Sequence, residues 1–125
     1  SVVFRATFSE AVTDVDTGDF AVGGISTASV SSVSAVSTSV YDITVSGGDL
    51  ADFDGTVGLN LAGSVSTSGP AGNALPNTEP STDEAFELDN TTPAVESIVR
   101  AGTSPTNSSS VDFTVTFSES VTGVD

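Results

Sequence analysis

The chain has 125 residues, 17 acidic side chains against two basic ones (Arg5 and Arg100), no lysine, histidine, cysteine, methionine or tryptophan, and a formal net charge of -15. That balance excludes a nucleic-acid binder, which needs cations to neutralise phosphate. It also excludes a disulfide scaffold, zinc–thiolate and iron–sulfur sites, a cysteine nucleophile and any Ser-His-Asp triad.

The hydrophobic fraction of 37% is low but not that of a disordered chain, and it is mostly valine, with seven phenylalanines. β-Branched valine and threonine suit a pleated, half-buried surface, while the usual helix formers are scarce, so the class expected is all-β. From the start, Val2, Phe4, Ala6 and Phe8 alternate with Val3, Arg5, Thr7 and Ser9. This period of two marks a strand with one face in a core. A turn follows over 10–18, then a short strand over 19–23 stopped by Gly23-Gly24. Residues 25–36 break the alternation and read as a bulged or edge strand. After a turn at 37–39, Tyr41, Ile43 and Val45 alternate with Asp42 and Thr44. An acidic loop spans 47–55, and Val57, Leu59 and Leu61 form the next strand. Residues 62–83 contain Gly69-Pro70, Gly72-Asn73, Pro76 and Pro80 and read as loop. Phe86 and Leu88 mark another strand, 89–93 a linker, 94–100 a strand and 101–109 a turn. The pattern predicts Phe4, Phe8, Tyr41, Ile43, Val45, Val57, Leu59, Leu61 and Phe86 as inward. No apolar run approaches the roughly 20 residues that span a bilayer, and no signal peptide is legible.

The chain repeats itself. Residues 1–16 read SVVFRATFSEAVTDVD and residues 110–125 read SVDFTVTFSESVTGVD, with eleven of sixteen positions identical at a shift of 109. A period of about 109 is too long for a solenoid but fits one β-sandwich domain. Counted from Pro93, one domain has seven strands in meandering order, which is the immunoglobulin-like antiparallel sandwich without its cysteines and tryptophan. The expected organisation is therefore residues 1–92 as an immunoglobulin-like domain lacking its own first strand, and 93–125 as the first two strands of the next repeat. The missing first strand would come from preceding sequence or from another copy, so neighbouring identical repeats are the expected partners, in cis or by strand exchange.

Several phrases carry a resemblance. They are Thr7-Phe8-Ser9-Glu10 with Val12-Thr13, Asp16-Thr17-Gly18-Asp19-Phe20, Tyr41-Asp42-Ile43-Thr44-Val45-Ser46-Gly47, Gly72-Asn73-Ala74-Leu75-Pro76, and Leu88-Asp89-Asn90-Thr91-Thr92-Pro93. In this order they resemble the bacterial immunoglobulin-like repeats of very large surface adhesins and related extracellular proteins. The family often has an Asp shortly before its Gly-Asn loop, where this chain has Gly69-Pro70. The resemblance implies tandem stacking as rigid extenders, secretion or display at the cell surface, and calcium at the joints.

The carboxylates lead to the same joint from the residues. Two arginines cannot pair 17 acids, and a hard divalent cation takes six to eight oxygens. Two carboxylates about 5 Å apart at an effective dielectric near 20 repel by roughly 3 kcal/mol. Alternating strands put the loop with Asp52 and Asp54 at the end where the last strand exits toward Asp89 and Asn90. The second strand of the next repeat returns there with Glu119, followed by Asp125. Those six residues, and Glu10 and Asp16 at the opposite end, are the candidate metal ligands, with calcium the expected ion. Asp16 has a second reading, as the cap of a one-turn helix over 17–20, and Asp52-Phe53-Asp54-Gly55 has one as an Asx turn.

Catalysis finds no support. Paired carboxylates can hydrolyse glycosides, but sugars bind aromatic platforms, and the chain has one tyrosine and no tryptophan. The glycine pairs are turns, not phosphate cradles. The reading is thus a non-enzymatic structural extender of a secreted or cell-surface protein such as an adhesin, filament or surface layer. The alternative is a carbohydrate- or cell-binding module. Asn90-Thr91-Thr92 and Asn107-Ser108-Ser109 are both acceptor sequons.

Overall fold

The computed structural model describes all 125 residues. It contains eight strands: β1 (Val2–Thr7), β2 (Phe20–Gly23), β3 (Ser29–Ala35), β4 (Val40–Ser46), β5 (Gly55–Leu61), β6 (Phe86–Leu88), β7 (Val95–Arg100) and β8 (Phe113–Phe117). The one helical element is a 3-10 turn, Thr17–Asp19. The chain divides into two compact units, Ser1–Asn90 and Thr91–Asp125.

The first unit has two antiparallel three-stranded sheets, ordered β1-β4-β3 and β2-β5-β6. The meander expected from the strand count does not form: β1 pairs with β4 and β2 with β5. After β1, β2 and β4 the chain crosses to the other sheet. Each sheet has one apolar face, and the opposite sheet is what covers it.

The alternation in β1 is kept residue by residue, with Val2, Phe4 and Ala6 half-buried and Val3, Arg5 and Thr7 exposed. Ile43 and Val45 on the central strand β4, and Val57 on β5, have no exposed surface at all. Val45 and Val57 join Ala28 and Leu50 in the core, and Val2, Phe4, Val22, Val30, Leu59 and Leu88 pack around it from both sheets. A second aromatic contact lies nearby, with Phe8 edge-on to Tyr41 at a centroid distance of 5.8 Å. The Tyr41 hydroxyl donates to the Val12 carbonyl at 3.2 Å, so the half-buried ring has its polar end satisfied. Phe86 departs from the expected inward set. It is 40% exposed, because β6 is a three-residue strand at the edge of its sheet; its ring meets Phe4 edge-on at 5.0 Å.

The broken alternation of residues 25–36 has a physical cause. β3 is an edge strand, and its register against β4 shifts between Val30 and Ser32. The extra residue, Ser31, donates its hydroxyl to the Thr44 carbonyl at 3.1 Å. The bulge lets Val30 and Val33, three residues apart, both turn toward the core.

The second unit is the β7–β8 hairpin, extended by Ala101 N donating to Asp112 O and Ser118 N to Ala94 O. Its apolar side chains are poorly covered: Ile98 is 64% and Phe113 59% exposed.

Ile43→Ala should destabilise the chain by about 2–5 kcal/mol, and Val3→Ala by less than about 0.5 kcal/mol, although both sit in the β1–β4 pairing. Urea unfolding of the two variants checks this; equal losses would contradict the assigned faces.

Candidate functional site

The carboxylates are used locally before they are available to any ligand. At one end of the first unit, Asp16 caps the 3-10 turn, accepting from Gly18 N at 2.7 Å. Asp19 closes the capping box by accepting from Asp16 N at 2.9 Å. Asp19 is only 1% exposed, yet no arginine pairs with it. Its Oδ1 accepts from the backbone amide and the hydroxyl of Ser66, and its Oδ2 accepts from the Thr67 hydroxyl at 2.9 Å. Burial pushes the Asp19 carboxyl up, but the donors from Asp16, Ser66 and Thr67 together outweigh it and hold the group below the ordinary carboxylate value. This one side chain ties the 14–19 turn to the long loop that follows β5. The same loop is held by Ser66 Oγ donating to Asp14 O and by paired bonds between Thr13 and Ser68.

Of the residues named from the sequence at this end, Asp16 is thus a helix cap. Glu10 is exposed and lies over the buried Gly69, where a Cβ would come within 2.5 Å of its Oε1. Asp19 was not among the expected site residues. Its signal was the spacing Asp16-x-x-Asp19, a capping box with aspartate in the glutamate position, and its burial depends on Ser66 and Thr67, forty-seven and forty-eight residues away.

At the opposite end, Asp49 Oδ1 accepts from the Ser26 hydroxyl at 2.6 Å and from Thr27 N at 2.9 Å, while Asp49 N donates to Thr27 Oγ1. The hydrogen bond from Ser26 leads in holding this carboxyl below its ordinary value. The two loops approach so closely that Gly48, at φ 55°, carries no Cβ: one there would run into the Thr27 backbone. Asp54 accepts from the backbone amide of Asn90, and the Asn90 side-chain amide donates to the Phe53 carbonyl at 2.6 Å. The structure therefore brings Asp54 and Asn90 together, joining the acidic loop to the segment that leaves β6. Asp52 and Asp89 are exposed.

In the second unit, Asp125 is exposed and Glu119 half-buried. The Glu119 Oε1 is buried with no hydrogen-bond donor, the one side-chain polar atom of the chain in that condition. No three acidic side chains gather in a geometry that could hold a metal ion between them. On the surface, Arg5 grips Asp42 with two bonds, Nε to Oδ1 at 2.7 Å and Nη2 to Oδ2 at 2.9 Å, across directly opposed positions of β1 and β4. The bond from Arg5 leads in holding the Asp42 carboxyl below its ordinary value.

Asp19→Ala should cost about 3 kcal/mol by orphaning buried donors, against about 1 kcal/mol for Asp16→Ala, which removes only a cap. The folded carboxyl of Asp19 titrates below the unfolded value of about 3.9, so its contribution is full at neutral pH and is lost as pH falls below about 4 through the folded value. Denaturant midpoints between pH 7 and pH 2 should fall less steeply for Asp19→Asn than for wild type, the remaining slope belonging to Asp42 and Asp49.

No family model, no curated protein and no solved structure matches this chain.

Proposed function

We propose that the chain is a structural extender repeat of a large secreted or cell-surface bacterial protein, with immunoglobulin-like domains stacked in tandem and calcium stiffening the joints. The observation that carries this reading is the 109-residue repeat, in which β8 and the residues around it restate β1. A chain that opens its own sequence again after one domain length is built for serial stacking. The strand orders support the immunoglobulin-like part: β1-β4-β3 and β2-β5-β6 correspond to strands B-E-D and C-F-G of that sandwich, and a first strand belongs on the outer edge of β1.

The chain acts as a spacer and not as an enzyme. Its polar groups are spent on fastening loops, and its exposed surface is acidic and poor in aromatic side chains. Calcium is supported by the excess of 17 acids over two arginines and by the Glu119 oxygen that has no donor. Asp54, Asp89, Asn90, Glu119 and Asp125, with Asp52, are the residues that would supply oxygen ligands at a joint. A flexible oxygen set suits calcium better than magnesium, which keeps its waters.

Calcium at about a hundred times its Kd should stabilise the chain by about 2.7 kcal/mol. The measurement is calorimetry of the full chain, together with small-angle scattering of several repeats joined in tandem, each with calcium and with chelator. Glu119→Ala and Asp89→Ala should lose the calcium increment. Unchanged melting and stiffness would remove calcium from the reading, and an equal shift from sodium chloride at matched ionic strength would replace it with charge screening.

A further inference from the structure

We infer that Asp19 is an acid-released latch: its carboxylate holds residues 62–74 closed against the turn at 13–19, and its protonation opens that segment as a local unit while the two sheets stay folded. Residues 62–74 contribute no strand, only single bridges from Ser68 to Thr13 and to Ala74. None of them belongs to the apolar cluster between the sheets. The segment is therefore closed by polar contacts, and the Asp19 side chain is where they converge. Its Oδ1 accepts from the amide and the hydroxyl of Ser66, and its Oδ2 from the Thr67 hydroxyl and the Asp16 amide.

Both oxygens thus face donors. An ionised carboxylate accepts at both, whereas a protonated carboxyl carries a hydrogen on one of them. On either oxygen that hydrogen meets a backbone amide, of Ser66 or of Asp16, which cannot accept it. Asp19 and Thr67 are each 1% exposed, so water replaces the lost bonds only once the segment opens. No other ionisable group around the latch shares its role. Residues 62–74, β5, and β3, which packs against the turn, carry no titratable side chain. In the turn, Asp16 Oδ1 is taken by Gly18 N, and Asp14 offers Ser66 its backbone carbonyl. Glu10 lies over Gly69, Glu79 accepts from Leu61 N, and Arg5 is committed to Asp42. The donors hold the Asp19 carboxyl below its ordinary value, so the latch is closed at neutral pH and releases as pH falls below about 4. A segment outside the apolar cluster opens at lower cost than the sheets unfold, which is the pattern of a local unfolding unit. The inference uses neither the repeat nor calcium, so its test and the calcium titration fail independently.

The test is residue-resolved hydrogen exchange of the full chain, read as protection relative to each amide's intrinsic rate. Ser66, Ser68 and Gly69, whose amides are bonded in the closed segment, report the latch. Ile43 and Val45, on the central strand β4, report the sheets. Between pH 7 and pH 2, protection at the three segment amides should fall at least about tenfold more than at the two sheet amides. Asp19→Asn puts an amide nitrogen among the donors and should reproduce that fall at pH 7, where Asp42 and Asp49 are ionised; its segment should then change no further with pH. Thr67→Val keeps the side chain's shape and removes one donor to the ionised form, so release should move to higher pH. Segment and sheet amides losing protection together, an Asp19→Asn segment as protected as wild type, or a release pH unmoved by Thr67→Val would overturn the inference.

Discussion

Everything in the first unit depends on Val45 and Val57 meeting, with Ile43 buried beside Val45's strand neighbours, between two sheets that neither could stabilise alone. Three side chains with no exposed surface, from the middle strand of each sheet, set where both sheets must lie. Branched side chains of this size have few rotamers and interdigitate closely, so a core without leucine-rich helices or tryptophan can still be specific. The surrounding Val2, Phe4, Val22, Val30, Leu59 and Leu88 are only partly covered. The core is thin, and the loops contribute to it directly through Ala28 and Leu50.

With so thin a core, the connections need other fastenings, and the acidic residues supply them. Asp19 holds the long loop after β5, Asp49 holds the turn before β3, and Asp54 holds the segment leaving β6. In each case a carboxylate accepts from backbone amides, two of them taking hydroxyl donors as well. Hydrogen bonds to an ionised acceptor are stronger than neutral ones, and they need no lysine partner. The acidity of the chain is therefore partly architectural. The acids that remain at the surface keep the chain strongly anionic, which favours solubility and creates a demand for cations.

Edges are the other recurring theme. β3 is bulged, which discourages pairing along its outer side, and β6 is too short to template much. β1 has neither protection, being six residues long and regular in register against β4.

Much of this was legible in the chain itself. Period-two alternation identified β1, β4 and β5 and their inward faces, because side-chain direction in a strand is a local property. The broken pattern around Val30 and Val33 announced a bulge for the same reason. Asp16 as a cap could be read from its place before Thr17-Gly18-Asp19, and the repeat was visible as plain identity. The pairing order was not legible, since a strand's alternation says which face is apolar and not which neighbour it chooses; the cross-sheet order β1-β4-β3 arises only when two apolar faces close on each other. Nor was the exposure of Phe86, which depends on β6 being an edge. Asp19 is the clearest case. In sequence it is one acid among 17, and only the tertiary structure, by carrying Ser66 and Thr67 across nearly fifty residues of chain to meet it, makes it the buried carboxylate that holds one end of the unit together.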